Sequence, residues 1–278
     1  MPSQKVRLCF LAVCIFSVTH QVASISVGAF NIQTYGDAKQ AAQGPNIAQV
    51  LTHYDIVLIQ EVRDQDHSAL INLKNLLGST AWDYVSSNPV GRTTRYKEQY
   101  VFFYKKVSLN VLGNFQYNDS KSDVFEREPF AVDIEYPSTS LGHAVNVVLM
   151  GIHTKPDMAL EELQALPTAM TAAKALFPNA AGVIAMGDFN ADCSYLNNQE
   201  KATLPLFVDP KYRSLIADTV DTTTSTTTDC AYDRIVIEGN ADIMADSAKV
   251  YRFDTALGLN NTITRAISDH YPVEFRLN

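Results

Sequence analysis

The sequence is poor in cysteine, with four residues in a chain of 278. Two of them, Cys9 and Cys14, lie in an N-terminal segment that we expect to be removed, which leaves Cys193 and Cys230. In an exported chain two cysteines are expected to form one disulfide, and two free buried thiols are the alternative. A disulfide leaves no cysteine for zinc. The chain also lacks the His-Glu-x-x-His motif of zinc proteases and the Gly-x-Ser-x-Gly motif of serine hydrolases.

Long apolar runs are also missing, apart from a short one near the N-terminus. Leu8–Val18 is too short to cross a membrane, and no second candidate follows it. Two basic residues precede this run and small residues follow it at 22–24, which is the order found in secretory signals. We therefore predict that residues 1–24 are a signal peptide and that residues 25–278 form a secreted protein with no membrane partner.

Positive charge is scarce: 22 basic residues face 30 acidic ones, which gives a formal net charge of −8. This balance argues against binding of nucleic acid through a broad basic surface. A nucleic-acid enzyme of this charge needs a local basic rim and metal ions to offset repulsion. The densest basic cluster is 91–98, which contains Arg95 and Tyr96. A solvated loop is the alternative interpretation of that cluster.

Apolar strands alternate with helices at both ends of the chain, and antiparallel strands lie between them. Since there are no repeats and no linker, we predict one domain with two packed sheets and helices outside. Pro45 is expected to disturb the first helix and Pro167 to kink or split a later one, with Asp157 as its N-cap. Buried strands are predicted over 25–31, 55–61, 144–152, 182–188 and 231–237, and helices over 37–53, 64–78 and 157–177.

Polar residues capable of chemistry stand at the ends of the apolar strands. Each one taken alone is more often structural, since a His after a strand is usually only hydrogen-bonded, and Asp188 with Asn190 suits a β-turn. Their recurrence at one kind of position predicts instead that they converge. The residues are Asn31, Glu61, His153, Asp188, Asn190, Asp233, Asp269 and His270.

This set divides by chemistry into proton carriers and oxygen ligands. His153 and His270 exchange protons near neutral pH, and Glu98, Asp233 and Asp269 are candidates to orient them. Such an inventory predicts metal-assisted hydrolysis with one His as base and the other as acid. Phosphodiesters suit it because a cation offsets the charge that builds on phosphoryl oxygens. The oxygen ligands suited to Mg²⁺ or Mn²⁺ are Asn31, Glu61, Asp188, Asn190 and Asp269.

Six longer stretches carry more information than single residues. They are Ala29–Ile32, Tyr54–Asp64, Tyr96–Glu98, Met186–Tyr195, Cys230–Val236 and Ile267–Val273. In this order they resemble the deoxyribonuclease I family, within the larger endonuclease/exonuclease/phosphatase superfamily. The superfamily needs only the short Glu, Asp-x-Asn and Ser-Asp-His pieces, whereas the surroundings of Cys193 and Cys230 point to the deoxyribonuclease I family itself.

The resemblance implies a fold of the α/β (α+β) class and an activity. The fold is a four-layer sandwich in which two mixed β-sheets pack face to face with helices on both outer sides. The activity is endonucleolytic cleavage of DNA, mainly double-stranded, that leaves 5′-phosphate ends. His153 with Glu98 would be the acid and His270 with Asp233 the base, although the two roles could be exchanged.

The resemblance also implies residues that bind DNA and ions. Arg63 would read the minor groove, Tyr96 would stack beside a sugar and Arg127 would contact phosphate, with Arg95 in the same surface. A catalytic Mg²⁺ or Mn²⁺ would lie among the oxygen ligands. A structural Ca²⁺ would be held by Asp221 and Thr223, in a Thr-rich segment that is otherwise interpreted as an O-glycosylated or loose linker.

Some features depart from the family or stay open. Gln33 replaces an Arg that family members often carry, which removes one expected phosphate contact. Actin is a candidate partner because Tyr84-Val85 is retained, but Ser86 replaces an apolar residue there. Asn118 and Asn260 begin glycosylation sequons, and we expect a monomer.

Two alternatives to a deoxyribonuclease are kept. One is a superfamily relative that acts on a phospholipid or small phosphate ester, and the other is a non-catalytic binder.

Overall fold

The computed structural model describes residues 24–93, 96–244 and 246–278. The expected signal peptide therefore lies almost wholly outside the described residues. None of the helices within these ranges combines the length and the apolar character needed to cross a membrane.

Strands and short helices follow one another along the described chain. The strands are β1 (Ile25–Tyr35), β2 (Ile56–Val62), β3 (Trp82–Ser86), β4 (Gln99–Lys105), β5 (Asn110–Gln116), β6 (Phe130–Pro137), β7 (Ala144–Gly151), β8 (Gly182–Asp188), β9 (Tyr212–Ser214), β10 (Asp233–Gly239), β11 (Lys249–Val250) and β12 (Val273–Leu277). The helices are α1 (Asp37–Leu51), α2 (Ser68–Leu77), α3 (Ala159–Leu176), α4 (Asn198–Lys201), α5 (Pro205–Val208), α6 (Phe253–Leu257) and α7 (Asn261–Ile267).

The strands form two six-stranded sheets. The first has the order β11-β12-β1-β2-β4-β3 and the second the order β5-β6-β7-β8-β10-β9. β1 and β2 are parallel, as are β7 and β8, whereas the other neighbouring strands are antiparallel. Both sheets are therefore mixed, as predicted.

Three apolar layers hold the sheets and helices together. Between the sheets lies a core that includes Val27, Phe102 and Leu149. A second core packs α1 and α2 on the outer face of the first sheet, and a third packs α3 on the outer face of the second, where Leu163 is buried. Burial of this apolar surface is the main stabilising contribution. The four-layer sandwich expected from the sequence is confirmed.

Both prolines lie inside continuous helices. The expected irregularity at Pro45 is wrong, because α1 runs through it without a break. α3 also continues through Pro167, so the expected split is wrong, whereas a kink there stays a prediction. Pro45 lies on the exposed side of α1, where water can solvate the carbonyl that loses its N–H partner. Asp157 is also not the N-cap of α3, because it lies in a 3₁₀ turn, Pro156–Met158, before the helix.

Candidate active site

The residues predicted from strand ends meet at one edge of the two sheets. β1, β2, β7 and β8 reach this edge with their C-terminal ends. β10 runs antiparallel to β8, and Asp233 at its start pairs with Asp188 at the end of β8. β12 runs antiparallel to β1, so the segment before it brings Asp269 and His270 to the same edge. The site thus combines the ends of some strands with the beginnings of others.

The backbone at this edge is strained. The pairing of β1 with β2, and of β2 with β4, shifts register there. Residues other than glycine rarely adopt a left-handed backbone, and bulges of this kind turn side chains in new directions. Such strain is characteristic of functional sites. The left-handed residues at this edge are Gln33, Thr34, Glu61 and Asn190, with φ of 46°, 58°, 58° and 47°.

Two histidines face each other across Asp188, and each is held by a carboxylate. His153 Nδ1 lies 3.0 Å from Glu98 Oε2, and His270 Nδ1 lies 2.8 Å from Asp233 Oδ2. The opposite ring nitrogen, Nε2, of each histidine lies 3.6 Å from Asp188 Oδ2. The Nδ1–carboxylate contacts fix the orientation of both rings, so that both Nε2 atoms point into the same small space.

The Asn31 amide links two of the predicted metal ligands. Its Nδ2 donates to Glu61 Oε1 at 3.0 Å and to Asp188 Oδ2 at 3.1 Å. The Thr34 N–H donates to the other Glu61 oxygen at 2.9 Å. Glu61 and Asp188 are thereby brought side by side without a basic residue between them, which is a suitable arrangement for a divalent cation.

Asp269 and Asn190 complete the predicted oxygen set. Gln33 Nε2 donates to Asp269 Oδ2 at 2.9 Å, whereas Asp269 Oδ1 is buried with no hydrogen-bond partner among the described residues. The Asn190 side-chain amide donates to the Thr154 carbonyl at 2.9 Å, which leaves its Oδ1 for a ligand. A buried carboxylate oxygen without a partner is costly, so these residues fit a hard cation.

A second grouping of ligand atoms overlaps the first. Asp188, Asp233 and His270 each place one ligand atom within 4.8 Å of the others, so they could hold a metal ion. Asp233 Oδ2 and His270 Nδ1 already share a hydrogen bond. Mg²⁺ prefers oxygen ligands, so the set around Glu61 and Asp188 suits it better. Asp188 belongs to both groupings.

Burial and neighbouring charges separate the pKa values of the site residues. Burial alone would raise the pKa of Glu98, but the hydrogen bond and charge of His153 lower it to about 2, assisted by two arginines. Burial alone would lower the pKa of His270, but the carboxylates of Asp233 and Asp188 raise it well above its usual value. Burial raises the pKa of Asp233. The two carboxylates therefore favour the protonated form of His270.

Two arginines lie on the Glu98 side of the site. Arg63 Nη2 is 3.2 Å from Glu98 Oε1, and Arg127 Nη1 is 3.6 Å from the same atom. The Arg63 guanidinium lies 5.9 Å from the ring of Tyr96, which is 64% exposed. These three predicted DNA-binding residues form one surface beside His153. Arg95, the fourth, lies outside the described residues.

Several supporting residues were not predicted. Gln60 is fully buried; its amide donates to the Ile152 carbonyl at 2.6 Å and its oxygen accepts from the Asp188 N–H at 3.0 Å. The Tyr100 hydroxyl accepts from the His153 N–H at 2.9 Å. Ser268 accepts from the His270 N–H at 3.0 Å. Gln60 was detectable as the one amide inside the apolar run of β2, and Ser268 belongs to the Ser-Asp-His piece of the resemblance, but nothing in the sequence marks Tyr100.

The disulfide expected from the sequence is confirmed: Cys193 and Cys230 are joined, with their Cα atoms 5.9 Å apart. In the Thr-rich segment, Asp221 Oδ1 accepts from the Thr223 N–H and hydroxyl, both at 2.9 Å, and from the Cys230 N–H at 3.2 Å. Thr222, Thr223 and Thr224 are buried. A loose linker is therefore the wrong interpretation of these three residues.

Both acceptor asparagines are exposed. Asn118 lies in the loop after β5, and Asn260 caps α7 by accepting from the Ile263 N–H at 3.0 Å. The Tyr84-Val85-Ser86 segment lies on β3, an edge strand of the first sheet. Glycosylation and actin binding remain predictions.

The sequence profile of the Endonuclease/Exonuclease/phosphatase family matches residues 28–270. The chain belongs to this family. Rabbit (Oryctolagus cuniculus) "Deoxyribonuclease-1" is 38% identical, covering 96% of this chain and 97% of its own. Chicken (Gallus gallus) "Deoxyribonuclease-1" is 40% identical, covering 92% and 93%, and human "Deoxyribonuclease-1-like 2" is 38% identical, covering 92% of each chain. The resemblance to the deoxyribonuclease I family is thus confirmed.

Solved structures show the same fold at much lower identity. The endonuclease/exonuclease/phosphatase from Bacteroides vulgatus has a TM-score of 0.62 at 16% identity and covers 92% of this chain and 99% of its own. D. rerio TDP2 complexed with a single-strand DNA product has a TM-score of 0.64 at 14% identity, with the same coverage. These similarities establish the sandwich fold and no more.

Proposed function

We propose that this protein is a secreted, divalent-cation-dependent endonuclease that hydrolyses phosphodiester bonds of mainly double-stranded DNA and leaves 5′-phosphate ends. The relatives named deoxyribonuclease support DNA as the substrate. The observation that carries the proposed mechanism is the pair of carboxylate-held histidines whose Nε2 atoms lie 3.6 Å from the same Asp188 oxygen.

The two imidazoles perform complementary proton transfers. One Nε2 accepts a proton from the attacking water as the oxygen bonds to phosphorus. The other Nε2 donates its proton to the 3′ oxygen as the P–O3′ bond breaks, which leaves a 3′-hydroxyl and a 5′-phosphate. We assign the base to His270, oriented by Asp233, and the acid to His153, oriented by Glu98. General acid–base catalysis of this kind contributes about 10²- to 10⁴-fold.

A bound Mg²⁺ or Mn²⁺ supplies positive charge for the phosphoryl oxygens. Glu61 and Asp188 would hold it, with Asp269, Asn31 and Asn190 offering further oxygens to the ion, the phosphate or water. The carboxylates of Asp233 and Asp188 raise the pKa of His270 well above its usual value, and a cation held at Asp188 would offset part of that effect.

DNA is held on the Glu98 side of the site. Arg63 enters the minor groove, with Tyr96 beside a sugar and Arg127 and Arg95 near the phosphates. The guanidinium groups of Arg63 and Arg127 already face Glu98 at 3.2 and 3.6 Å. This local positive surface allows an acidic protein to bind a polyanion.

The remaining parts of the proposal concern the surface and the state of the mature protein. Asp221 and Thr223 hold a structural Ca²⁺; all three hydrogen bonds to Asp221 use Oδ1, so none of them occupies Oδ2. Asn118 and Asn260 carry glycans, the mature protein begins near Ile25, and it acts as a monomer. Actin remains a candidate partner through β3.

The test is cleavage of supercoiled plasmid by the purified mature protein in Mg²⁺, with and without Ca²⁺. We expect nicked and then linear DNA, loss of activity with a chelator, and ends that a kinase labels only after phosphatase treatment. Sphingomyelin serves as the alternative substrate. No DNA cleavage under these conditions would overturn the proposal.

A further inference from the structure

Glu162 is a fully buried carboxylic acid near the site that the mechanism does not use. It lies in the first turn of α3, and its exposed fraction is 0%. Its Oε1 accepts hydrogen bonds from the N–H groups of Glu126 and Lys155, each at 3.2 Å. Its Oε2 is buried and has no hydrogen-bond partner among the described residues. The carboxyl group therefore bonds to two loops outside its own helix.

Those two loops carry residues of the site. Glu126 is followed by Arg127, and Lys155 is preceded by His153 and Thr154. Arg127 donates from Nε to the His153 carbonyl at 3.0 Å and from Nη2 to the Thr154 carbonyl at 2.9 Å. The side chain of Arg127 and the carboxyl group of Glu162 thus join the same two loops at neighbouring points.

A structural role alone does not explain an acid at this position. An apolar side chain of similar volume would fill the space at lower cost, since an unpaired buried carboxyl group is expensive. Burial raises the pKa of Glu162 to about 7, opposed by its two N–H partners and by the charges of Arg127 and His153. Glu162 also does not cap α3, because its hydrogen bonds go to Glu126 and Lys155 rather than to the first N–H groups of the helix.

We propose that Glu162 is a positioning residue that fixes Arg127 and His153 relative to each other through hydrogen bonds to the backbone beside each of them. This inference rests on the proposed function, in which His153 donates a proton and Arg127 contacts phosphate. A shift of about 1 Å in such groups is enough to reduce the rate of a reaction by about 10²-fold.

The test compares three variants by kcat and KM for DNA cleavage, with activity expressed per folded molecule. Glu162→Leu keeps the volume but loses both acceptors, and we expect kcat to fall about 10- to 100-fold. Glu162→Gln keeps one oxygen that can accept both hydrogen bonds, and we expect it to restore most of the activity. Glu161→Gln is the matched control, since Glu161 is exposed and adjacent in sequence, and it should behave as wild type.

A double-mutant cycle with Arg127→Ala separates positioning from general destabilisation. If Glu162 acts through Arg127, Glu162→Leu should have little further effect on kcat in the Arg127→Ala background. Fully additive effects, or wild-type kcat in folded Glu162→Leu, would overturn the proposal.

Amide hydrogen exchange gives a readout that does not depend on activity. The Glu126 and Lys155 amides should exchange slowly in the wild type and in Glu162→Gln, and quickly in Glu162→Leu, while amides of the sheet core stay protected. Unchanged protection in Glu162→Leu would refute the positioning role. If the wild type does not cleave DNA, the proposed function fails, and exchange still decides whether Glu162 holds the two loops.

Discussion

The two halves of the site are built alike but differ in charge. His153 with Glu98 and His270 with Asp233 have similar Nδ1–carboxylate distances, 3.0 and 2.8 Å, and the same 3.6 Å separation from Asp188. Glu98 is flanked by Arg63 and Arg127, and its pKa falls to about 2. Burial instead raises the pKa of Asp233, whose N–H group donates to the Thr222 hydroxyl oxygen at 3.2 Å.

Because their local charges differ, the two halves suit different steps of the proposed reaction. The Glu98 half carries positive charge beside its histidine and suits the side on which an anionic substrate is held. In the other half the Asp233 carboxylate is fully buried, and His270 lies within 3.9 Å of three carboxylates, those of Asp188, Asp233 and Asp269, which suits control of one proton. Similar geometry therefore does not imply the same task, because the local charge decides what each histidine can do.

The largest expected effect comes from removing either histidine. His153→Ala and His270→Ala should each lower DNA hydrolysis by at least about 10²-fold, since each removes one proton transfer. The measurement is the initial rate of plasmid nicking in Mg²⁺, with His143→Ala, at an exposed loop residue, as the control. Near-normal activity of both site variants would refute the two-histidine mechanism.

The disulfide joins the segment beyond Asp188 and Asn190 to the segment that leads to Asp233, so it supports the Asp233 half most directly. It closes a loop with a sequence separation of 37 residues, so Cys193→Ser with Cys230→Ser should lower the free energy of unfolding by about 3–4 kcal/mol in the chain-entropy model. Denaturant unfolding measures this loss. In the folded double variant we expect slower DNA hydrolysis with KM little changed. A change in KM alone would contradict the proposed difference between the two halves of the site.

The two carboxylates should respond differently to neutralisation. Glu98→Gln and Asp233→Asn should each lower kcat about 10- to 100-fold by loosening a histidine. Only Glu98→Gln should also change KM, because it releases Arg63 and Arg127. Steady-state kinetics on a duplex substrate distinguishes the two, and identical effects on KM would erase the proposed difference between the halves.

The smallest expected effect comes from Arg63. Arg63→Ala should raise KM and leave kcat largely intact, because it removes one cation from the DNA-binding side. The rise in KM should be larger for duplex than for single-stranded DNA, because only a duplex offers the minor groove that Arg63 enters. Arg252→Ala, at an exposed residue paired with Asp254, is the control. An unchanged KM for duplex DNA would remove Arg63 from the DNA contacts.

The sequence predicted the residues that interrupt apolar patterns and missed those that do not. His153 and Asp188 were detectable because each ends or follows an apolar strand, and His270 because it precedes one. Glu162 was not detectable, because its partners are backbone groups of two other segments, at Glu126 and Lys155. The sequence therefore reveals polar residues whose burial would be costly. It does not reveal residues whose role depends only on tertiary contacts.

Prediction of the fold from the sequence was limited in the same way. The buried strands around β1, β2, β7 and β8 were predicted, but β6 was not, since Asp133 and Glu135 interrupt its apolar residues on one face. Pro45 was expected to disturb α1 because local propensity opposes proline in a helix. Packing of α1 on the first sheet overrides that propensity.

The most direct test of the two-histidine account uses a duplex in which sulfur replaces the bridging 3′ oxygen at the cleaved bond. A thiolate leaves without needing a proton, so the substitution should restore cleavage by His153→Ala at least about tenfold while leaving His270→Ala slow. Both variants are compared with the same metal ion and with an all-oxygen duplex. Equal responses of the two variants, or no restoration of either, would contradict the assignment of separate proton transfers to the two halves.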